Sequence, residues 1–177
     1  LMRKQFLGSN NAPIKIKEFF SLTCGHCSNF HIKTLPQLKK KYIDTGKVQL
    51  EFIDYPLDRL AVIAATLARS IPTNDGYIEA VSILLKKQKQ WAYSKNPLNE
   101  LQSIAKLFGI SSKKFNDISQ NIPLMQEIVT KMEKESKNFD ISSTPTFIVN
   151  DKYKISGALS FKDFEKELLK SINAKKS

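Results

Sequence analysis

The chain has 177 residues, 41% of them hydrophobic and 25% charged, which is enough to bury a core of its own in one domain and too mixed to be disordered or low-complexity. Its 28 basic and 17 acidic residues leave a net charge of +11, but the lysines are scattered, with Lys39-Lys40-Lys41 the longest run, so solvated helix faces are expected, with at most a mild attraction to acidic chains or anionic headgroups and no nucleic-acid binding. No stretch approaches the roughly 20 apolar residues of a membrane span, and Leu1-Met2-Arg3-Lys4 lacks a signal-peptide core, so the expectation is either an intracellular protein or a processed form whose signal is gone.

In chain order, Ile14 and Ile16 alternate and lead into Phe19 and Phe20, as a strand buried on both faces would, with Glu18 interrupting the run. From Gly25 to about Tyr42, Phe30, Leu35 and Leu38 follow a helical period, and Pro36 inside it predicts a kink near residues 32 to 36. Val48, Leu50 and Phe52 alternate with Gln49 and Glu51 in a second strand. Two strands across one helix form a βαβ unit with parallel strands.

Residues 58 to 138 show no strand signal and four or five amphipathic helices, with apolar sets beginning at Leu60, Tyr77, Leu98 and Met125. Asn96-Pro97 reads as N-cap and first helical residue, and Ser111 starts a short helix after a stop at Gly109. Strand character returns at Thr146 to Val149, turns at Asn150-Asp151-Lys152 and resumes from Tyr153 to Ser156, a β-hairpin. Ser160 and Asp163 then suggest a capping box for a final helix lined by Phe161, Phe164, Leu168 and Ile172. The order β-α-β, helical block, β-β-α predicts an α/β thioredoxin fold with a mixed sheet. Residues 1-57 and 139-177 form its two parts around an inserted helical subdomain at 58-138.

The only two cysteines stand in Cys24-Gly25-His26-Cys27, where the first strand gives way to a helix. At a helix start the first thiol meets unpaired N–H groups and the positive end of the dipole, which stabilises its thiolate. The second, three residues on, shares its face and can close or resolve a disulfide. A redox dithiol is the reading. The rival is zinc, since Cys24, Cys27 and His31 stand at i, i+3 and i+7, but a fourth ligand is missing from the sequence. Pro145 donates no ladder bond and is tolerated at a strand's first residue, where a cis bond would turn the Thr144 backbone outward to pair with an extended chain.

The whole chain resembles the DsbA-like thiol-disulfide oxidoreductases of bacteria. Three features carry the resemblance: Phe19 to His31 around Cys-Gly-His-Cys, the segment Ser143-Thr144-Pro145-Thr146-Phe147 that looks like the family's cis-proline loop, and the helical insertion between them. Gly25 departs from the proline frequent in the family. The resemblance implies an enzyme that introduces disulfides into exported, reduced client proteins through Cys24 and Cys27, with a disulfide isomerase or reductase as the alternative. It implies client contact at Thr144 and Pro145, no dissociable cofactor, no metal, a membrane reoxidase of DsbB or VKOR type, a monomer, and a periplasmic site reached by a signal or anchor since removed. Gly25 and His26 would tune the dithiol, a charged His26 imidazole stabilising the Cys24 thiolate. Glu18, where the family has an acidic residue, would relay the proton of Cys27; its alternatives are solvation at the sheet edge or pairing with a lysine such as Lys47.

Overall fold

The computed structural model describes residues 2–176; Leu1, the first residue of the stretch read for a leader, lies outside them. Five strands form one mixed sheet in the order β1-β3-β2-β4-β5. The central strand β2 (Ile14–Phe20) runs parallel to β3 (Val48–Asp54) and antiparallel to β4 (Thr146–Val149), which forms a hairpin with β5 (Tyr153–Ser156). Left-handed backbones at Asn150 and Asp151, with φ of 51° and 59°, make the hairpin's turn.

An edge strand that the sequence does not announce, β1 (Phe6–Leu7), pairs antiparallel with β3. Two residues carry no periodicity. Their strand character comes from the free edge of β3 and from Phe52 N–H donating to the Gln5 carbonyl.

Alternation along β2 decides what the sheet presents to each side. Ile16 and Phe20 join the main core with the helices, whereas Phe19 packs with Ile53, Ile141 and Ile148 in a smaller cluster on the other face. Glu18 shares the parity of Ile16 and Phe20, so it points into the main core, between Phe52 and Phe147 in register on either side. An isolated carboxylate there would be costly, so the strand's interruption asks for a partner.

The helix after β2 starts as α1 (Gly25–Asn29), continues through a π turn (Phe30–Thr34) into α2 (Leu35–Leu38), and ends in a second π turn (Lys39–Ile43). The expected disturbance at residues 32 to 36 therefore takes the form of a π turn. Pro36 has no N–H to give, and Leu35 N–H reaches back five residues to the Phe30 carbonyl.

Between β3 and β4 lie six helices: α3 (Arg59–Arg69), α4 (Asn74–Lys86), the single turn α5 (Gln88–Trp91), α6 (Pro97–Ala105), α7 (Ser112–Ile118) and α8 (Ile122–Phe139). The sequence predicts four or five, because a single turn such as α5 has no repeat to detect. Asn96 holds the N-cap position of α6 without a side-chain cap bond, whereas Ser111 Oγ accepts the Lys114 N–H at 3.1 Å. These helices share one core with the sheet, and Trp91, fully buried, donates its indole N–H to the Leu84 carbonyl at 2.9 Å. Buried Arg69 ties α3 to β3 through Asp54 at 2.9 Å and the Phe52 carbonyl at 3.1 Å. The last helix, α9 (Phe161–Lys176), is capped by Ser160 Oγ, which accepts the Asp163 N–H.

Candidate active site

The Cys24–Cys27 dithiol sits where β2 ends, on a loop held from three directions. Cys24 N–H donates to the Ser21 carbonyl at 3.1 Å, and Thr23 Oγ1 donates to Asp58, the N-cap of α3, at 3.1 Å. From α5 the buried Gln88 amide donates to the Leu22 and Cys24 carbonyls at 2.8 and 2.9 Å. Ser28 Oγ donates to the Leu85 carbonyl at 2.7 Å. The helical insertion thus grips the redox turn directly.

Cys24 is itself the N-cap of α1, with extended backbone (φ −84°, ψ 118°) and its sulfur accepting the Cys27 N–H at 3.2 Å. Its pKa is lowered from 9.0 to about 6, first by the hydrogen bond with the Cys27 thiol, then by the Thr144 side chain and the backbone N–H groups of Cys27 and His26, against the opposing effect of burial. His26 acts differently from expectation. It lowers the Cys24 pKa through its backbone N–H, while its side chain is exposed, because the turn directs the imidazole outward.

Cys27 is fully buried, and its pKa is pushed far up, chiefly by that burial and then by the hydrogen bond and charge of Cys24, with the charge of Glu18 adding to the rise. The two thiols, free of a disulfide here, are therefore unequal: one holds negative charge and the other holds a proton.

Glu18 finds its partner in His31, whose Nε2 lies 2.8 and 3.0 Å from the two carboxylate oxygens. The carboxylate is wholly buried and the imidazole side chain 5% exposed. Solvation at a sheet edge and pairing with Lys47 are both overturned, since Glu18 faces the core and the helix π turn brings His31 to it. The same contact removes the zinc alternative. His31 Nε2 is taken up by a carboxylate, and no three His, Cys, Asp or Glu side chains are grouped to hold a metal ion among the described residues. Phe20, Phe30 and Phe52 surround the imidazole at 5.5 to 6.1 Å between ring centroids.

At the start of β4 the Thr144–Pro145 peptide is cis, and the Cys24 thiol donates to the Thr144 carbonyl at 3.6 Å. Residues 120 positions apart thus meet at one sulfur. The structure brings together Cys24, Cys27, Gly25, Thr144 and Pro145 at the surface turn and places Glu18 beneath it. Gly25 is exposed, and a Cβ there would meet the Tyr93 hydroxyl at 3.3 Å. Sequence reasoning missed Gln88 and the role of His31. A lone glutamine on a single turn gives no signal, whereas His31, four residues after Cys27, falls on the helix face that must pack on Glu18.

The thioredoxin family's sequence profile matches residues 2–170. A Rickettsia typhi protein, whose name assigns it to the protein-disulfide oxidoreductases, is 31% identical over 144 residues, covering 81% of this chain and 53% of its own length. A disulfide bond formation protein D by name, from Bacillus anthracis, is 28% identical over 177 residues, covering 96% of this chain and 77% of its own. The chain spans about half the length of the Rickettsia relatives it matches. Among solved structures, alpha-DsbA1 of Wolbachia pipientis superposes with a TM-score of 0.86 at 31% identity, covering 96% of this chain and 91% of that one. With a CxxC turn capping a helix, a cis-proline loop against its first sulfur and helices inserted between β3 and β4, the chain belongs to the thioredoxin family, among its DsbA-like members.

Proposed function

We propose that the protein is a dithiol oxidase that passes the Cys24–Cys27 disulfide to reduced client proteins. The supporting observation is the inequality of the two sulfurs: Cys24, at the helix N-cap, is lowered to about 6, while buried Cys27 is driven the other way. Stabilising the Cys24 thiolate stabilises the reduced form, and a protein whose reduced form is favoured gives its disulfide away. A client thiolate attacks Cys24, Cys27 leaves, and a second client thiol releases the oxidised client. Thr144 and Pro145 offer backbone beside the attacked sulfur, which suits many client sequences.

No dissociable cofactor enters this cycle. The reading places the protein in an oxidising space, the periplasm, acting as a monomer with a DsbB- or VKOR-type membrane partner to restore its disulfide. No helix among the described residues is long and apolar enough to cross a membrane. Glu18, beneath the dithiol, is the group through which the Cys27 proton moves.

Redox titration against glutathione, with thermal melting of both forms, tests this. The midpoint is expected well above that of a cytosolic reductase, with the reduced form melting higher; the reverse order of melting overturns the reading in favour of a reductase. Cys24→Ser should abolish client oxidation, and Cys27→Ser should accumulate a client mixed disulfide on Cys24.

A further inference from the structure

The dithiol chemistry leaves open how a proton reaches a thiol with no exposed surface while a client covers the front of the site. When the client thiolate bonds to Cys24, the Cys24–Cys27 bond breaks and its electron pair stays on Cys27. That sulfur binds a proton strongly, because burial disfavours its charge. The front offers no route, since Cys27 is fully buried behind Cys24 and the Thr144 carbonyl.

A second route lies behind it. His31 holds Glu18 through Nε2 and also forms part of the wall of a cleft of about 350 Å³ between the helix after β2, the sheet and α4. Leu7, Ile32, Phe52 and Ile78 make its apolar walls, and none of its lining residues belongs to the Cys24–Gly25 turn or the Thr144–Pro145 loop. A client lying on Cys24 therefore leaves this cleft open. Nδ1 of His31 has no protein partner among the described residues and, unlike Gln5 Oε1 and Tyr77 Oη, is not sealed from solvent. The charged and titratable groups around the pair are Cys27 on α1, the Tyr77 hydroxyl on α4, and two exposed lysines lining the cleft, Lys86 on α4 and Lys39, which is bonded to Asp44. β1 and β3 contribute only Leu7 and Phe52 to the cleft.

We propose that His31 is the rear proton port of the dithiol, exchanging protons between the cleft and Cys27 through Glu18. This rests on the oxidase reading and deepens it. In the step that opens the disulfide, the Nε2 proton passes to the Glu18 carboxylate and on to the Cys27 sulfur, while Nδ1 takes a proton from water in the cleft. When the disulfide is re-formed, the Cys27 proton returns through Glu18 to Nε2, and Nδ1 releases one to the cleft. Between the two steps the ring turns over, so that a protonated nitrogen again faces the Glu18 carboxylate, as the 2.8 Å contact with both thiols reduced requires. His31 touches neither client nor sulfur, so it is a positioning and relay residue rather than a catalytic one.

Stopped-flow reduction of the oxidised protein by reduced glutathione, across pH and buffer concentration, tests the port. His31→Gln keeps an amide donor for Glu18 and cannot relay a proton. It should slow the step by about 10²-fold, the low end for positioned proton transfer, and make the rate depend on buffer concentration. In His31→Ala, added imidazole entering the cleft should restore much of the rate. Ser82→Trp, which fills the cleft from α4 and leaves the Glu18–His31 pair in place, should slow the otherwise unmodified protein and block imidazole rescue in the alanine background. Unchanged rate and pH profile in His31→Gln overturn the proposal, as does slowing without buffer dependence or rescue, which marks a structural role. Failure of the oxidase reading looks different: the oxidised form of the unmodified protein would melt above the reduced form, whatever the rate in His31→Gln.

Discussion

The mouth and the floor of the site are built on the same helix turn and treat the same functional group in opposite ways. At the mouth, Cys24 meets backbone N–H groups, the Thr144 side chain and the helix N-terminus, all of which favour negative charge. At the floor, Cys27 is buried in the apolar core, and that burial, with the charges of Cys24 and Glu18, disfavours it. Two residues separate a sulfur ready to carry charge from one that must carry a proton. The proposed direction of electron flow rests on that contrast, and each region can be disturbed separately.

The largest effect is expected at the floor. Glu18→Ala leaves His31 without its partner in a phenylalanine cage, and breaking a buried pair of this kind costs about 3 kcal/mol. Glu18→Gln, which keeps a hydrogen-bonding group at the site, should cost less. Thr144→Val at the mouth, where solvent can enter, should cost under about 1 kcal/mol. Urea unfolding of the three variants checks the order. Equal losses for Glu18→Ala and Thr144→Val would erase the distinction between the two regions.

How much of each region could be read beforehand differs in the same way. The mouth is local chemistry: Cys24, Cys27 and the strand-to-helix change lie in one short stretch, and Thr144–Pro145 has its own signature. The floor is tertiary. Glu18 reads only as an interruption of a strand, and its partner depends on the π turn that carries His31 inward. The edge strand β1 escapes for a related reason, since Phe6 and Leu7 acquire their strand state from β3. Six inserted helices, against four or five expected, differ by the one-turn α5, the element that carries Gln88 to the redox loop.

That clamp gives the intermediate effect. Gln88→Ala strips the Leu22 and Cys24 carbonyls of their donor in a buried position and should cost about 2 kcal/mol. Because it fixes the turn rather than the floor, it should also loosen the environment of Cys24, seen as a rise in the Cys24 pKa followed by the ultraviolet absorbance of its thiolate. An unaltered Cys24 titration in Gln88→Ala would mean that the helical insertion grips the turn without tuning it.

The pH dependence of stability isolates the mouth alone. Cys24 titrates at about 6 in the folded reduced protein, below its ordinary 9.0, so its contribution to stability is complete above about 9 and is lost as pH falls through about 6. Cys27 is shifted upward, so below about 9 it is protonated whether the chain is folded or not and adds no slope in this window. The oxidised form has no thiol to titrate, so the difference between the two forms isolates Cys24. The stability of the reduced form minus that of the oxidised form should therefore gain about 1 kcal/mol from about pH 5 to pH 7 and rise further toward pH 8. Thr144→Val, by removing one of the bonds that lower Cys24, should shift the rise to higher pH. Denaturant midpoints of both forms across that range measure it. A flat difference would mean that the helix N-cap does not hold the thiolate, and the contrast between mouth and floor would lose its upper half.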